Sequence, residues 1–289
     1  METSAKNNKK VSGTAIFRYT ICILLCLLSI FPFYVLIVNS TLESNVIKQG
    51  LHWLPGTHFI ENYKNLMSKT DATSMVSLWG ALRNSLIITI PTTLLQVYFA
   101  SLTAYGLTVY NFKGRDLAWA FIYGIMMIPT QVSIVGMIKL CQLTGMYGTY
   151  IPLILPAIAA PTTVYFMKQY MQTGLSVEIV EAARIDGASE FGIFNTIALP
   201  LIKPAMATQA IFAFVASWNN LYTPSILLGG NRDLSTMPMF VESLKSNDKK
   251  RDFGEIYAGL FITVLPIMVA YLLLSKYIVA GVALGGVKE

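Results

Sequence analysis

Residues 181–204 read EAARIDGASEFGIFNTIALPLIKP, a polar, helix-prone segment between two long hydrophobic stretches. Ser176, just before it, is suited to cap a first helix, since its hydroxyl can accept a bond from a free backbone N–H. Glu178 and Glu181 fall near the N-terminus of that helix, where negative charge is favourable. Gly187 can end the helix in the left-handed conformation that other residues avoid. The pattern predicts an ordered helix with a defined end.

The same stretch predicts a second helix after the glycine corner. Glu181 precedes Arg184 by three residues, a spacing that puts both charges on one face of the first helix. The second helix is expected to present the apolar side chains of Phe191, Phe194 and Ile197. Pro200 and Pro204 are expected to end it. A helix, a tight corner and a second helix between two long hydrophobic stretches are typical of a docking site for a soluble partner.

Composition places this device in a membrane protein. The chain has 289 residues, 54% hydrophobic and 12% charged, whereas a soluble domain has about 25% charged residues. A helix needs about 20 apolar residues to cross the hydrocarbon core of a bilayer. Six charge-free runs reach that length: 19–42, 84–112, 117–138, 140–167, 204–231 and 256–275. We therefore predict an all-α integral membrane protein with six transmembrane helices, at about 16–38, 84–106, 117–137, 149–168, 205–228 and 256–277.

Charges around the first run predict the orientation. Lys6, Lys9, Lys10 and Arg18 lie at its N-terminal side, and an excess of Lys and Arg marks the cytoplasmic side. The run is too long for a signal peptide, so we expect it to stay as an anchor. Six spans then put both termini in the cytoplasm. The predicted domains are a cytoplasmic segment 1–15, a six-span domain 16–280 with a cytoplasmic loop 171–204 between spans four and five, and a cytoplasmic tail 281–289.

The residue types missing from the spans narrow the function. None of the six runs holds a carboxylate or histidine, which proton-driven transporters keep as coupling sites and membrane enzymes need for catalysis. Sodium sites built from carbonyls and hydroxyls escape this argument. The chain also lacks the GxxxxGK[ST] loop that binds nucleotide phosphates, so energy for active transport must come from another polypeptide. Cys22 and Cys26 share a helix face without further ligands, so no metal site is predicted.

The chain resembles the permease subunits of ATP-binding cassette (ABC) importers of type I, in the carbohydrate branch, and is similar to the smaller maltose-importer permease. The loop pattern EAA…DGA…F…LP of that family is matched by Glu181, Ala182, Ala183, Asp186, Gly187, Ala188, Phe194, Leu199 and Pro200. Shorter similarities are WLPGTHFIENY at 53–63, RNSL at 83–86, FKGR at 112–115, MIPTQ at 127–131 and LTGMYGTY at 143–150. Ser176 stands where the family often has proline.

The resemblance implies that helix 177–186 is a coupling helix, which docks in a cleft of a cytoplasmic ATPase subunit. The docking residues carried over are Glu181, Ala182, Ala183, Asp186 and Gly187. Small alanines allow close backbone approach, and the carboxylates can bond to donors on the partner. ATP and magnesium belong to the two ATPase subunits, whose closure switches the spans between outward- and inward-facing states. This chain itself is expected to bind no cofactor and to be no enzyme.

The resemblance also implies two further contacts. The tail would insert between the two ATPase subunits, where Gly285 and Gly286 permit a tight path. The loop 229–255 would reach an external sugar-binding protein through Asn231, Arg232 and Asp233. No nucleic-acid partner is expected, because the net charge of +6 is divided between the two sides of the membrane.

The cargo is predicted to be a sugar or oligosaccharide. Candidate residues lining its path are Gln131, Trp218, Asn219 and Asn220, although hydrogen bonds between helices explain these amides equally well. The chain would form half of the pathway together with a second, non-identical permease in the bacterial cytoplasmic membrane. Alternatives are import of a polyol or glycerol phosphate, or a membrane enzyme acting on lipid-linked sugar, with the outer-loop acids Glu43, Glu61 and Asp71 as its candidates.

Overall fold

The computed structural model describes residues 13–72, 77–129, 131–245 and 252–285. Within these ranges the chain is helical and contains no strand, which confirms the predicted all-α class. The α-helices in chain order are α1 Gly13–Ser40, α2 Ser44–Ile47, α3 Phe59–Ala72, α4 Leu78–Val109, α5 Arg115–Ile125, α6 Ile134–Leu143, α7 Ile151–Ile154, α8 Pro161–Gly174, α9 Val177–Ile185, α10 Glu190–Ile193, α11 Leu199–Leu201, α12 Lys203–Trp218, α13 Tyr222–Leu227, α14 Met237–Lys245 and α15 Phe253–Gly285.

Several of these helices are long and apolar enough to cross a membrane. Among the described residues four stretches qualify: Gly13–Ser40, Leu78–Val109, Ile151–Gly174, which comprises α7, a 3-10 turn and α8, and Phe253–Tyr277. A fifth crossing results if Glu190–Leu201 and Lys203–Trp218, bent by 81°, are counted as one span. By length and composition, the part of the chain that the structure describes therefore contains four to five apolar spans.

The predicted third span, 117–137, is not one continuous helix. It is covered by α5, an interruption, and the beginning of α6. Pro129 lies in the interruption. Proline donates no backbone N–H and disfavours the helical conformation of the residue before it. The hydrophobic run thus indicated membrane burial without indicating where the helix would break.

The contacts divide the chain into two compact units. The first comprises the described residues up to Leu66 and those from Asp252 to Phe261. Its buried anchor is the side-chain amide of Asn62, whose Nδ2 donates to the carbonyl oxygens of Ser40 and Leu42 at 3.0 and 2.9 Å. These bonds fix the C-terminal end of α1 against α3.

The second unit is built around α4, which packs along α8 and α12. Near its N-terminal end, Asn84 Nδ2 donates to the carbonyl oxygens of Asp233 and Ser235 at 2.7 and 3.0 Å. The Ser85 hydroxyl accepts the Met237 backbone N–H at 2.8 Å. Both side chains are buried, so each bond also satisfies a polar group that water does not reach. The segment between α13 and α14 is therefore held in place by α4.

The other end of α4 carries a buried core that lies beneath loop 171–204. Its members come from α4, from α8 and from the loop itself: Ala100, Ala104, Tyr105, Leu107, Val164, Met167, Met171, Leu175, Val180, Ala183, Ile193, Phe194, Ala198 and Ile202. Burial of this many apolar side chains stabilises the loop in one arrangement. The loop is thus part of the core of the second unit.

Candidate functional site

Helix α9 forms the first arm of the corner. It spans Val177–Ile185 and is followed by Gly187 with φ +80°, which confirms the predicted helix and its left-handed glycine. Ser176 occupies the predicted cap position, but the predicted cap bond is wrong: its hydroxyl donates to the Glu178 carboxylate instead. That bond lowers the pKa of Glu178 below its usual range. The Glu178 carboxylate therefore takes the Ser176 hydroxyl away from the backbone N–H that it was expected to cap.

The two faces of α9 have different surroundings. Val180 and Ala183 are buried in the core described above, with Ala183 only 8% exposed. Glu181, Ala182 and Asp186 lie on the exposed face. Ala183 was expected, with Ala182, to allow close approach of a partner, and that docking role stays a prediction; within this chain Ala183 packs against the core. Its small size lets α9 lie close to its own core, whereas Ala182 is the alanine that a partner can reach.

An ion pair joins the two arms of the corner. Arg184 Nε donates to Glu190 Oε1 at 2.7 Å, and Arg184 Nη2 donates to Glu190 Oε2 at 3.1 Å. Glu190 Oε2 also accepts the Tyr110 hydroxyl at 2.6 Å. Arg184 thus pairs with Glu190 beyond the glycine corner, although Glu181 shares its helix face. Glu190 binds the guanidinium through both of its carboxylate oxygens. Such bidentate geometry is stronger than a single contact along the helix.

Tyr110 completes this cluster at the end of α4. The Arg184 guanidinium carbon lies 5.3 Å from the centroid of its ring, within the range of a cation–π contact. Desolvation, and then the bond to Glu190, raise the pKa of Tyr110 to about 12. The same carboxylate raises the pKa of Arg184 above its ordinary value. The cluster of Arg184, Glu190 and Tyr110 thus keeps its protonation state throughout the physiological pH range.

The second arm is anchored by Phe194. This ring is 1% exposed and lies 5.8 Å from Tyr98 and 5.2 Å from Tyr105, centroid to centroid. The prediction that the arm presents Phe194 is wrong, because the ring enters the core. Phe191 does point outward and is 65% exposed, whereas Ile197 is half-buried.

The end of the second arm also differs from its prediction. The helical run continues through a π-helical segment, Phe194–Ala198, to α11, and the chain then bends by 81° into α12. Pro204 lies in the first turn of α12, where its missing N–H leaves no helical bond unmade. It therefore starts the next helix and does not stop the previous one.

A cavity of about 400 Å³ lies in the second unit. Most of its wall is apolar, and its polar side chains are Ser133, Ser217, Asn220 and Thr223. None of the described residues that line it is ionisable. Such a cavity has hydrogen-bonding groups for hydroxyls and no charge to pair with a charged solute.

The predicted path residues have different positions. Of the four, Asn220 lines this cavity, while Asn219 and Gln131 are exposed elsewhere. Trp218 is 1% exposed, and its Nε1–H donates to the carbonyl oxygen of Thr263 at 3.0 Å. Trp218 therefore links α12 to α15, as the alternative of a hydrogen bond between helices predicted.

The predicted binding-protein loop is ordered where the structure describes it. Asn231, Arg232 and Asp233 are exposed, and Asn231 Oδ1 accepts the Asp233 backbone N–H at 3.1 Å. Because Asn84 holds the carbonyl oxygen of Asp233, the three residues rest on a fixed base. In the predicted tail, α15 continues to Gly285, so residues 281–285 are helical, while Gly286 lies outside the described residues.

The sequence did not single out Tyr110, Glu190 or Asn84. Glu190 had a local signal, since Ser189 precedes it and caps the short helix by accepting the Gly192 N–H at 3.2 Å. Tyr110 and Asn84 act on segments far away along the chain. No short-range pattern reports such partners.

Several apolar spans, a cavity without ionisable lining and an exposed helical corner are features expected of a transport permease. The chain belongs to the family of binding-protein-dependent transport system inner membrane components, whose model matches residues 96–283. The predicted resemblance to importer permeases is thereby confirmed, and the chain is a multi-pass permease subunit.

Two relatives and one solved structure show the extent of the similarity. The arabinooligosaccharides transport system permease protein AraQ of Bacillus subtilis (strain 168) is 34% identical over 268 residues, which cover 92% of each chain. The sn-glycerol-3-phosphate transport system permease protein UgpE of Escherichia coli O157:H7 is 29% identical over 268 residues, 92% of this chain and 95% of that one. A chain in the crystal structure of a bacterial ABC transporter involved in the import of the acidic polysaccharide alginate has a TM-score of 0.75, with 17% identity, over 96% of this chain and 99% of that one. At that identity the last comparison shows the fold alone.

Proposed function

We propose that this permease is one half of the translocation pathway of an ATP-driven importer for a sugar or oligosaccharide. The observation that carries the proposal is the division of α9 into an exposed face and a face buried in the α4–α8 core. A partner that binds the exposed face can transmit force to the spans, because the buried face leaves α9 no independent movement.

The proposed topology keeps six spans. The broken pair α5 and α6 forms the third, and α12 with α13 forms the fifth, next to the four apolar spans described above. Breaks within a span are tolerated where the backbone faces protein or a cavity, and both α6 and α13 contribute residues to the cavity wall. With the N-terminus in the cytoplasm, α9 and the α4–α5 connection also face the cytoplasm.

The ATPase subunit would dock on the outer face of the corner. Glu181, Ala182, Asp186 and Gly187 are exposed there, and Ile185 adds an apolar side chain that is 86% exposed. An apolar contact surrounded by carboxylates suits a partner cleft that offers apolar surface with basic or N–H donors at its rim. The ATPase pair would hold ATP and magnesium.

The remaining partners are proposed from the position of exposed segments. A second, non-identical permease would form the other half of the pathway. An external binding protein would contact Asn231, Arg232 and Asp233, and the tail with Gly285 and Gly286 would reach the ATPase pair. The fixed base beneath residues 231–233 supports the first of these two contacts, because a preorganised loop loses less entropy on binding.

The cavity favours a neutral sugar over glycerol phosphate as the cargo. A phosphate group would need a cationic partner on entering a site of low dielectric, and the described wall offers only hydroxyl and amide groups. The relatives' names include both kinds of cargo, so the uncharged wall is the feature that separates the two alternatives for this chain.

Copurification tests the proposal. We would tag the chain, extract it in mild detergent and compare Ala182→Arg with Gln172→Arg. Both positions are exposed in loop 171–204, but only Ala182 lies on the proposed docking face of α9. The parent and the Gln172→Arg variant should copurify with an ATP-binding subunit, whereas the Ala182→Arg variant should lose most of it.

Retention of the ATPase by the Ala182→Arg variant would refute docking on α9. If the parent chain purifies alone, or with an enzyme partner and no ATPase, the membrane-enzyme alternative would be favoured. The ligand of the external binding protein that copurifies with the complex then identifies the cargo. A phosphorylated ligand would contradict the neutral-sugar assignment.

A further inference from the structure

Two lysines from different helices converge on one tyrosine ring. The Lys203 ammonium lies 4.5 Å from the ring centroid of Tyr277, and the Lys276 ammonium lies 5.0 Å from the same centroid. Lys203 is the first residue of α12, while Lys276 and Tyr277 lie in the last third of α15. The contact therefore joins the beginning of one span to the end of another.

This cluster of Lys203, Lys276 and Tyr277 carries two positive charges without a carboxylate. Among the described residues no Asp or Glu forms an ion pair with either lysine. A cation–π contact at an exposed aromatic ring is weak, so it does not cancel the repulsion between the two like charges. The N-terminus of α12 adds partial positive charge, since its cap residue Ile202 has no side chain that could accept a bond. The cluster is thus an unneutralised cationic site.

Its surroundings are those of a membrane–water interface. The apolar stretch of α15 ends at Tyr277, and Lys and Tyr at such an end place their polar groups among lipid headgroups. Leu272 and Leu273, one helical turn earlier, are 68% and 65% exposed. Apolar surface therefore adjoins the two ammonium groups, an arrangement that fits a ligand with a charged head and an apolar chain better than free phosphate.

We propose that Lys203, Lys276 and the Tyr277 hydroxyl bind the phosphate of an anionic phospholipid. The phosphate would neutralise both lysines, and its acyl chains would cover Leu272 and Leu273. Because Lys203 directly follows the 81° bend, the lipid would tie the start of α12 to α15 at that bend. The site goes beyond the proposed function and does not require ATPase docking on α9.

Native mass spectrometry of the intact, detergent-purified complex tests this site. Phosphatidylglycerol and phosphatidylcholine with identical acyl chains are titrated into the parent and into Lys203→Gln/Lys276→Gln. The matched control is Lys64→Gln/Lys139→Gln, which removes the same charge from two other exposed lysines. A basic residue near an anionic headgroup changes affinity about 5-fold, so the first double variant should bind phosphatidylglycerol about 25-fold more weakly. The control should bind it as the parent does.

Charge-conserving and single variants keep the test decisive. Lys203→Arg/Lys276→Arg should retain the lipid, and each single Gln variant should lose about 5-fold, even if the double Gln variant fails to assemble. Equal binding of both lipids by the parent, or unchanged phosphatidylglycerol binding by the Gln variants, would overturn the proposal. Loss of a copurifying acidic protein with unchanged lipid binding would overturn it as well, and would assign the lysines to that protein.

Discussion

Arg184 and Glu190 face each other across the glycine corner as a bidentate pair, with Nε to Oε1 at 2.7 Å and Nη2 to Oε2 at 3.1 Å. The two side chains are 32% and 47% exposed. Solvent screens an ion pair that it can reach, so this pair contributes little to stability. Its more specific effect is to orient α9 relative to α10 and to Tyr110, so we expect the pair to matter more for coupling than for folding.

Glu190→Gln should therefore lower the ATPase activity that the external binding protein stimulates, while the thermal midpoint of the complex changes little. The variant keeps one acceptor but loses the charge that holds the guanidinium. Glu61→Gln, at an exposed carboxylate in the first unit, is the control and should leave the stimulation intact. Full stimulation in Glu190→Gln would show that the pair does not orient α9.

Phe194→Ala should destabilise loop 171–204 strongly. A buried phenylalanine replaced by alanine typically costs about 3–5 kcal/mol, and Phe194 packs between Tyr98 and Tyr105. Limited proteolysis should cut the variant within the loop at a protease concentration that spares the parent. Phe191→Ala, which removes the same ring from an exposed position, should resist cleavage like the parent. Equal resistance of both variants would contradict the assigned anchor.

Asn84→Ala should release the segment between α13 and α14. The change removes the donor to the carbonyl oxygens of Asp233 and Ser235, and each buried group left without a partner costs about 1–3 kcal/mol. Stimulation by the external binding protein should fall while the ATPase still copurifies. Asn219→Ala, at an exposed amide, should keep normal stimulation; a similar loss there would point to a general effect of removing an amide.

Gly136→Leu should block the cavity without disturbing the fold. A Cβ at this helical glycine meets no atom within 4 Å, and the residue lines the cavity. Uptake of the labelled sugar that the parent transports should drop at least about 10-fold, a barrier increase of about 1.4 kcal/mol. Gly124→Leu is matched to it, because that glycine is also helical, also has open space and lies outside the cavity wall. Equal uptake by Gly136→Leu and the parent would exclude this cavity from the path.

Local patterns in the sequence predicted the local parts of the structure. The hydrophobic runs predicted an all-helical membrane chain, and the residues around Gly187 predicted α9 and its left-handed end, because caps and glycine conformations depend on near neighbours. The spacing of Glu181 and Arg184 did not reveal the actual partner of Arg184, because Glu190 lies beyond the corner in a second helix.

Features that depend on contacts between residues far apart in the chain could not be predicted from the sequence. Ala182 and Ala183 are chemically identical neighbours, and only the packing of α9 on α4 and α8 shows which of them is buried. Trp218 likewise belongs to a polar run that suggested a cargo path, but its partner is the Thr263 carbonyl oxygen, 45 residues away. The interruption between α5 and α6 could not be predicted, because the chain has 12 prolines and the sequence does not show at which of them a helix breaks.

The two-faced packing of α9 has an evolutionary consequence. Substitutions at Glu181, Ala182 or Asp186 change what an incoming subunit meets, and those at Val180 or Ala183 change how the permease folds. Selection can therefore act on the two sets independently. A permease could exchange one ATPase subunit for another by altering a few surface residues. Replacing only the exposed residues of α9 with those of a relative should therefore make this chain bind the relative's ATPase subunit.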